Sequence, residues 1–406
     1  MFSFSKKEEY VSLLVDIGNG NVSASLVVFS ITKKPFIFCT TQSPISIALE
    51  PHADALLSSM IATVDAVVGE VLSFGFTHTY WKGKEKKIHD ALLSFSSPWF
   101  LSQSKRIHIA EEKAFVITER FLHDIMEKER DLFEKEVSPQ GAKGVSSASV
   151  VTLEQAVTNT KINGYPLDNS IGKKTKLFDI SLYTSCTPNQ VVDGVFQVLS
   201  KHTHLSHDKV YAHTFPFITH SVLGIIYPTL SDYMIMDVTG EVTDITLVRD
   251  NSIAKTVSFP SGRNLMIRQI GTTCGVSPEI AESILHIYTS GRGDESVARQ
   301  MEEVCNNVGR EWDVYFNEAL TGLSEKADLP PRVFITADKD MSQFSINFLN
   351  LMKRDSTDTF KKNVDPVYID ESVFKTLCTR DSRLPENEFI SLLSVFYDVF
   401  LKKDNK

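Results

Sequence analysis

The sequence lacks the features that mark several classes of protein. Its five cysteines are odd in number and include no CxxC pair, which excludes a small disulfide scaffold and a cysteine-based zinc framework. Scattered thiols of this kind are typical of a reducing compartment; they are Cys39, Cys186, Cys274, Cys305 and Cys378. The balance of 42% hydrophobic and 23% charged residues excludes a disordered or collagen-like chain.

Positive charge and long apolar runs are also scarce. The net charge of −9 argues against a nucleic-acid partner. No apolar run approaches the roughly 18 residues that a membrane-spanning helix needs. The first residues, MFSFSKKEEYV, place acidic side chains where a secretory signal has its apolar region. We therefore predict a cytoplasmic protein, and its 406 residues are enough for two or three domains.

An internal repeat is the most informative feature that is present. Residues 12–30 read SLLVDIGNGNVSASLVVFS, and residues 233–250 read YMIMDVTGEVTDITLVRD. Each is a short apolar run, an aspartate (Asp16 or Asp237), a loop that carries glycine, and a second apolar run. The runs are too short for helices and predict buried strands, so one hairpin opens each half of the chain.

The other elements follow from periodicity and capping residues. We predict strands at 91–95, 106–109, 150–162, 176–184, 210–212, 252–259 and 331–336. We predict helices at 118–136 with Thr118 as N-cap, 189–200, 216–227, 277–288 with Ser277 as N-cap, 295–323 and 387–402. Residues 138–147 predict a flexible loop, and residues 86–185 predict a compact inserted α+β unit.

Several motifs together resemble one superfamily. Residues 16–22, DIGNGNV, and 237–244, DVTGEVTD, are similar to the phosphate loops DIGTTKV and DIGGGTTD of the actin-like ATPase superfamily. Residues 259–264, FPSGRN, are similar to its IPLGGNH segment, and Ala281-Glu282 to its AE helix. Within the inserted unit, NGYP at 163–166 and IGKK at 171–174 resemble the branch of FtsA and PilM, the actin homologues of bacterial cell division and type IV pili.

The resemblance implies a fold and its boundaries. The expected fold is α/β, with two ribonuclease-H-like halves around a nucleotide cleft and a small α+β domain inserted in the first half. The expected boundaries are 1–85 for the first part of domain I, 86–185 for the inserted domain, 186–230 for the rest of domain I, 231–385 for domain II, and 386–406 for a C-terminal helix that packs back on domain I.

The resemblance also implies a site for ATP and magnesium. Backbone amides of glycine turns bind phosphates, and strand-end carboxylates hold magnesium-bound water. The residues that match the family's first phosphate loop are Asp16, Gly18, Asn19 and Gly20, and those that match its second are Asp237, Gly240 and Thr243. The resemblance adds Gly262, Glu282 and Thr336 to the expected site. Asp16 and Asp237 are the expected magnesium residues, each acting through a bound water.

Departures from the family pattern predict that this site is degraded. Thr239 and Glu241 replace glycines of the second loop, Leu285 replaces a basic residue, and Ala337-Asp338 replaces glycines near the adenine. We expect the Glu241 carboxylate to face a triphosphate, so ATP binding is weak and the protein is at most a weak ATPase.

The resemblance favours a scaffold that assembles with itself or with a protein partner of the division, pilus or membrane machinery. Its expected place is the cytoplasm, peripheral to the inner face of the membrane and attached indirectly. One alternative is an active ATPase or small-molecule kinase of the same superfamily, for which no general base is evident. Another is a nucleotide-free pseudo-ATPase that binds a peptide through the inserted domain.

For two further patterns we favour a structural role over a functional one. His202, His204, His207 and His213 lack the ligand spacing of a metal site and predict a solvated connection. The last helix, NEFISLLSVFYDVFLK, resembles a membrane-surface helix in composition, but it is apolar around most of its circumference. Such helices are usually buried, so we predict a core helix.

Overall fold

The structure is a computed structural model that describes residues 9–46, 53–137, 149–167, 169–324, 328–355 and 359–402. The predicted loop at 138–147 lies outside the described residues. The strands are β1 (Tyr10–Ile17), β2 (Asn21–Phe29), β3 (Phe36–Pro44), β4 (Ala91–Phe95), β5 (Leu101–Val116), β6 (Val150–Ile162), β7 (Tyr165–Pro166), β8 (Lys174–Pro188), β9 (Val210–Thr214), β10 (Tyr233–Val238), β11 (Thr243–Arg249), β12 (Ser252–Phe259), β13 (Arg332–Ala337), β14 (Asp365–Tyr368) and β15 (Thr379–Arg380).

Ten α-helices are present in the described ranges. They are α1 (Ala53–Gly75), α2 (Glu119–Val137), α3 (Asn189–Thr203), α4 (Phe215–Ile226), α5 (Arg263–Cys274), α6 (Pro278–Thr289), α7 (Glu295–Leu323), α8 (Lys339–Asp355), α9 (Thr359–Asn363) and α10 (Glu388–Phe396). Short 3-10 helices span Thr79–Trp81, His207–Lys209 and Glu371–Phe374, and a π-helical turn, Tyr397–Leu401, follows α10.

The two halves repeat one sheet topology. The first sheet has the order β15-β3-β2-β1-β4-β9, and the second has the order β12-β11-β10-β13-β14. In each, the opening hairpin is antiparallel and its first strand pairs in parallel with a later strand, β1 with β4 and β10 with β13. Asp16 and Asp237 therefore occupy equivalent places near the ends of β1 and β10, and the predicted α/β fold with two similar halves is confirmed.

Helices cover both faces of these sheets, which is why the opening strands are apolar on both sides. All of β10 and all of β1 except its first residue are buried. Helices α1 and α3 share one core with one face of the first sheet, while α4 and α10 share a second core with strands of both sheets. The turns after β1 and β10 are thereby held on a rigid, buried base.

Helix α1 corrects one prediction from the sequence. Asp54–Gly75 is long and apolar enough to cross a membrane, so a run of that kind is present after all. The helix lies against β2, β3 and α3 with Met60, Val64 and Val68 fully buried. Its apolar composition is explained by this packing.

The inserted unit is a four-stranded sheet, β5-β8-β6-β7, covered by α2. The Thr118 hydroxyl accepts the amide of Phe121 at 3.1 Å, as the predicted N-cap requires. The predicted boundary at residue 86 places Ala91–Phe95 in this unit, but those residues form β4, which pairs with β1 and β9 in the first sheet. The inserted sheet itself begins at Leu101.

Helix α10 lies in the core between the halves. It packs against α4 and β1, and every one of its residues is buried. The Asn387 side chain accepts the amide of Ile390 at 3.0 Å and so caps the helix. At α6 the outcome is different, because the Ser277 hydroxyl donates to the Glu279 carboxylate and makes no capping bond.

Candidate functional site

The two turns that the sequence assigns to phosphate binding touch each other. A Cβ placed on Gly20 would lie 2.6 Å from the Cα of Gly240, and one placed on Gly240 would lie 2.3 Å from the Cα of Gly20. No side chain fits at such a distance, so glycine is required at both positions for backbone contact. The space in which two opposed loops would clamp a phosphate is filled by the loops themselves.

Asn19 fastens the first turn to the second. Its side-chain amide donates to the carbonyl of Ser97 and to the Thr239 hydroxyl, the latter at 2.7 Å. Its side-chain oxygen accepts the backbone amide of Glu241. Because Asn19 is only 1% exposed, these bonds are formed away from water and hold the loops together.

The first amide groups of helix α5, which follows β12, are already hydrogen-bonded. The first N–H groups of a helix are available to bind anions. In α5 the amides of Arg263 and Asn264 donate to the carbonyls of Thr239 and Gly240, each at 2.8 Å. A Cβ on Gly262 would lie 2.3 Å from the carbonyl oxygen of Thr239, so this glycine permits the close approach.

The first turn is held in the same self-contained way. The amide of Gly18 donates to the carbonyl of Asn21 at 3.1 Å, and the carbonyl of Gly18 accepts the indole N–H of Trp99 at 2.7 Å. The Asn21 side chain donates across the cleft to Asp338 at 2.8 Å. Both backbone polar groups of Gly18 and the side chain of Asn21 are thus bonded to protein partners.

Glu241 points away from the cleft, which corrects the expectation that its carboxylate faces a triphosphate. Its two oxygens accept the guanidinium of Arg268 at 2.9 and 2.8 Å, and one also accepts the Asn264 side chain at 2.9 Å. A paired carboxylate is more stable in this orientation than one directed at an anion. The barrier to phosphate is therefore the backbone contact and not the charge of Glu241.

Behind the turns lie buried carboxyl groups at the strand ends. Burial raises the pKa of Asp16 to about 7 and raises that of Asp237 well above its usual range. The Thr336 hydroxyl, expected near an adenine, instead donates to Asp237 at 2.7 Å. The Thr243 hydroxyl donates to the carbonyl of Ser261 at 2.6 Å, so it too is turned away from the cleft.

What remains of the cleft is a cavity of about 380 Å³ with an acidic wall. Its carboxylates are Glu282, Asp338, Asp340, Glu386 and Glu388. Arg263 binds two of them, with a nitrogen 2.7 Å from Asp340 and from Glu282. Burial raises the pKa of Asp338 to about 7. Glu282, expected at a ribose, is thus engaged by an arginine.

A magnesium–ATP complex does not fit this arrangement. Asp16 Oδ1 is buried without a hydrogen-bond partner, a position suited to a cation-bound water. The phosphates that would share such a cation have no room between Gly20 and Gly240, and the acidic wall opposes a polyanion.

Several residues of this site were missed by the sequence analysis. Ser97 and Trp99 lie just after β4 and hydrogen-bond to the first turn. Arg268 on α5 forms an ion pair with Glu241 and compensates its charge. None of these three residues belongs to a motif that the sequence analysis identified. Only the parallel pairing of β1 with β4 brings the segment after β4 to the end of β1.

The histidines at positions 202, 207 and 213 contact neighbouring protein side chains. His202 lies 2.7 Å from Asp65, and His213 lies 2.6 Å from the buried Glu154. His207 stacks on Phe196. Across the described ranges, no group of three or more His, Cys, Asp or Glu side chains is arranged to hold a metal ion.

Comparison with known proteins identifies the fold. As a sequence, the chain matches no protein-family profile, and no curated protein is significantly similar to it. A chain of the PilM-PilN type IV pilus biogenesis complex is 13% identical, with 96% of this chain and 98% of that chain covered and a TM-score of 0.61. The ethanolamine utilization protein EutJ from Carboxydothermus hydrogenoformans is 11% identical over 98% and 92% of the two chains, with a TM-score of 0.46. The first likeness shows that this chain has the actin-like ATPase fold, as its motifs predicted.

Proposed function

We propose that this protein is a scaffold that binds a protein partner of bacterial membrane machinery and does so without using ATP. The observation that carries the proposal is the contact between Gly20 and Gly240, which fills the phosphate position in an otherwise complete actin-like fold. An actin-like fold whose phosphate loops contact each other can still serve a function other than phosphate chemistry, such as binding a protein.

The inserted unit is the part that we expect to bind the partner. Eight of the sixteen exposed large apolar side chains among the described residues lie in it: Leu101, Val116, Leu132, Val151, Val157, Tyr165, Ile171 and Leu177. Exposed apolar surface that is concentrated in one region marks an interaction site. Tyr165, with 77% of its surface exposed, is the most exposed of them.

The fold comparison favours a partner of the pilus type over one of cell division. The similar solved structure is a chain of a complex between two pilus biogenesis proteins, PilM and PilN. We propose a cytoplasmic location at the inner face of the membrane, reached through the partner. Self-assembly through the same apolar surface is a further part of this proposal.

Site-specific photo-crosslinking of the full-length protein in the cells that produce it tests this function. A photoreactive residue at Tyr165 or Leu177 should crosslink a protein of a membrane assembly. A photoreactive residue at Val314, which is 57% exposed on α7, is the matched control and should not. The same products from Val314 as from Tyr165, or the absence of products at all three positions, would contradict the proposal.

A further inference from the structure

A second cavity lies within the second half, outside the cleft. It has a volume of about 930 Å³ and is bounded by α6, α7 and α8. Asp340 lines both cavities, and Arg263 binds its carboxylate with three contacts of 2.7–3.0 Å. Asp340 is thus shared by the two cavities, and Arg263 compensates its charge.

The wall of this cavity is mainly apolar and aromatic. Leu285 of α6, Met301 of α7, and Phe344 and Phe348 of α8 line it. Trp312 supports it from behind, with ring centroids 5.3 and 5.4 Å from those of Phe344 and Phe348. Methionine and aromatic side chains adapt to flat apolar ligands, and this volume is within the range of small-molecule sites.

Gly309 recesses the wall at the middle of α7. Glycine inside a helix costs about 1 kcal/mol relative to alanine. Elsewhere packing explains it: a Cβ on Gly194 of α3 would lie 2.4 Å from Ile61. A Cβ on Gly309 would meet nothing within 4 Å, so packing within the chain does not require glycine there. The residue does enlarge the cavity.

The rim supplies polar groups and a positive charge. The polar and charged residues that line the cavity, besides Asp340, include Asn306, Arg310 and Asp313 of α7, Gln343 and Asn347 of α8, and Lys361 of α9. The Arg310 guanidinium donates to the Asn307 side chain at 2.5 Å, and no carboxylate of the described residues forms an ion pair with it. Its charge is therefore available to an anionic group of a ligand.

We propose that this cavity is a binding site for a small, flat, mainly apolar molecule that carries one anionic group. The apolar body occupies the space beside Gly309 and Phe348, and the anionic group pairs with Arg310 at the rim.

The test uses 1-anilinonaphthalene-8-sulfonate, an aromatic anion, titrated into the full-length protein, with the rise in the probe's own fluorescence on binding as the readout. Gly309→Leu should weaken binding at least tenfold because it fills the cavity. The control is Gly224→Leu, at the exposed helical glycine of α4 whose Cβ would also meet nothing within 4 Å. Gly309→Ala provides a milder variant that retains the fold and should weaken binding severalfold.

The charge is tested in the same assay. Arg310→Met should weaken probe binding about fivefold, whereas Arg299→Met, at an exposed arginine of the same helix, should not. Unchanged affinity in Gly309→Leu or Arg310→Met would overturn the proposal. Displacement of the probe by Mg-ATP would overturn it as well, since the cavity would then be part of the nucleotide cleft.

Discussion

The turns after Asp16 and Asp237 start from equivalent strands and end in different contacts. Asp237 accepts the Thr336 hydroxyl at 2.7 Å, whereas Asp16 Oδ1 has no partner. The first turn extends its Asn19 side chain into the second, while the second turn has its Glu241 side chain drawn away by Arg268. A duplicated sheet therefore fixes where the two turns meet, and their side chains decide whether they hold a ligand or each other.

The largest expected effect comes from the helix that lies between the halves. Phe396 of α10 is 1% exposed, so Phe396→Asp buries an unpaired carboxylate. We expect the free energy of unfolding to fall by about 3–5 kcal/mol, measured by urea denaturation. Phe400→Asp, at a position that is 42% exposed, is the control and should cost far less. Equal small losses, together with lost binding to liposomes in Phe396→Asp, would favour a membrane-surface helix.

The next effect breaks the bond between the two turns. Asn19→Ala leaves the Thr239 hydroxyl and the Glu241 amide without their buried partner, and we expect a loss of about 2–3 kcal/mol in unfolding free energy. Asn21→Ala removes one bond to Asp338 from a partly buried side chain and should cost about 1 kcal/mol. If the two variants lose the same stability, Asn19 does not act as the bridge.

The raised pKa of Asp16 predicts that the free energy of unfolding depends on pH. Because the pKa of Asp16 is raised to about 7 in the folded protein, this carboxyl group keeps its proton between about pH 4 and 7 while the unfolded chain loses it. Its contribution to stability is therefore lost as pH rises through that window, by at most about 1.4 kcal/mol per pH unit.

Asp16→Asn removes this titration. Denaturant unfolding from pH 4 to 8 should show a less negative slope of stability against pH in Asp16→Asn than in the unmodified protein. Asp54→Asn, on the exposed surface of α1, is the control. A slope that is unchanged in Asp16→Asn would show that Asp16 is ionised throughout.

The smallest effect concerns the contact between the inserted unit and the second half. Lys161 and Arg106 lie 2.8 and 3.1 Å from Asp250, and they lower the pKa of this partly exposed carboxyl group. Asp250→Asn should cost less than about 1 kcal/mol at low salt, because exposed ion pairs are weak. The cost should vanish at 1 M salt; a loss that persists there would show that the contact is not electrostatic.

Local patterns in the sequence predicted much of the fold. The two hairpins, β6 and α7 follow from apolar periodicity and turn residues within a few positions of each other. The boundary of the inserted unit was wrong because a short apolar run such as Ala91–Phe95 looks the same whichever sheet it joins. Its place depends on pairing with β1, some eighty residues earlier in the chain.

The sequence predicted which positions form the site but not the contacts that they make. The sequence indicated which turns face each other, but the contact of Gly20 with Gly240 joins backbones that are distant in the chain. The direction of Glu241 depends on Arg268, one helix further on, and a motif comparison cannot supply that choice of partner. The charge at this loop position therefore did not indicate that the backbones of the two turns meet.

Titration calorimetry with Mg-ATP tests the central claim, that the turns hold each other in place of a phosphate. The unmodified protein should show no binding at micromolar concentrations. The double variant Thr239→Gly and Glu241→Gly should bind no better, because it leaves the contact between Gly20 and Gly240 in place. Low-micromolar binding by the unmodified protein would contradict the account, and a large gain in the double variant would return Glu241 to the role of the barrier.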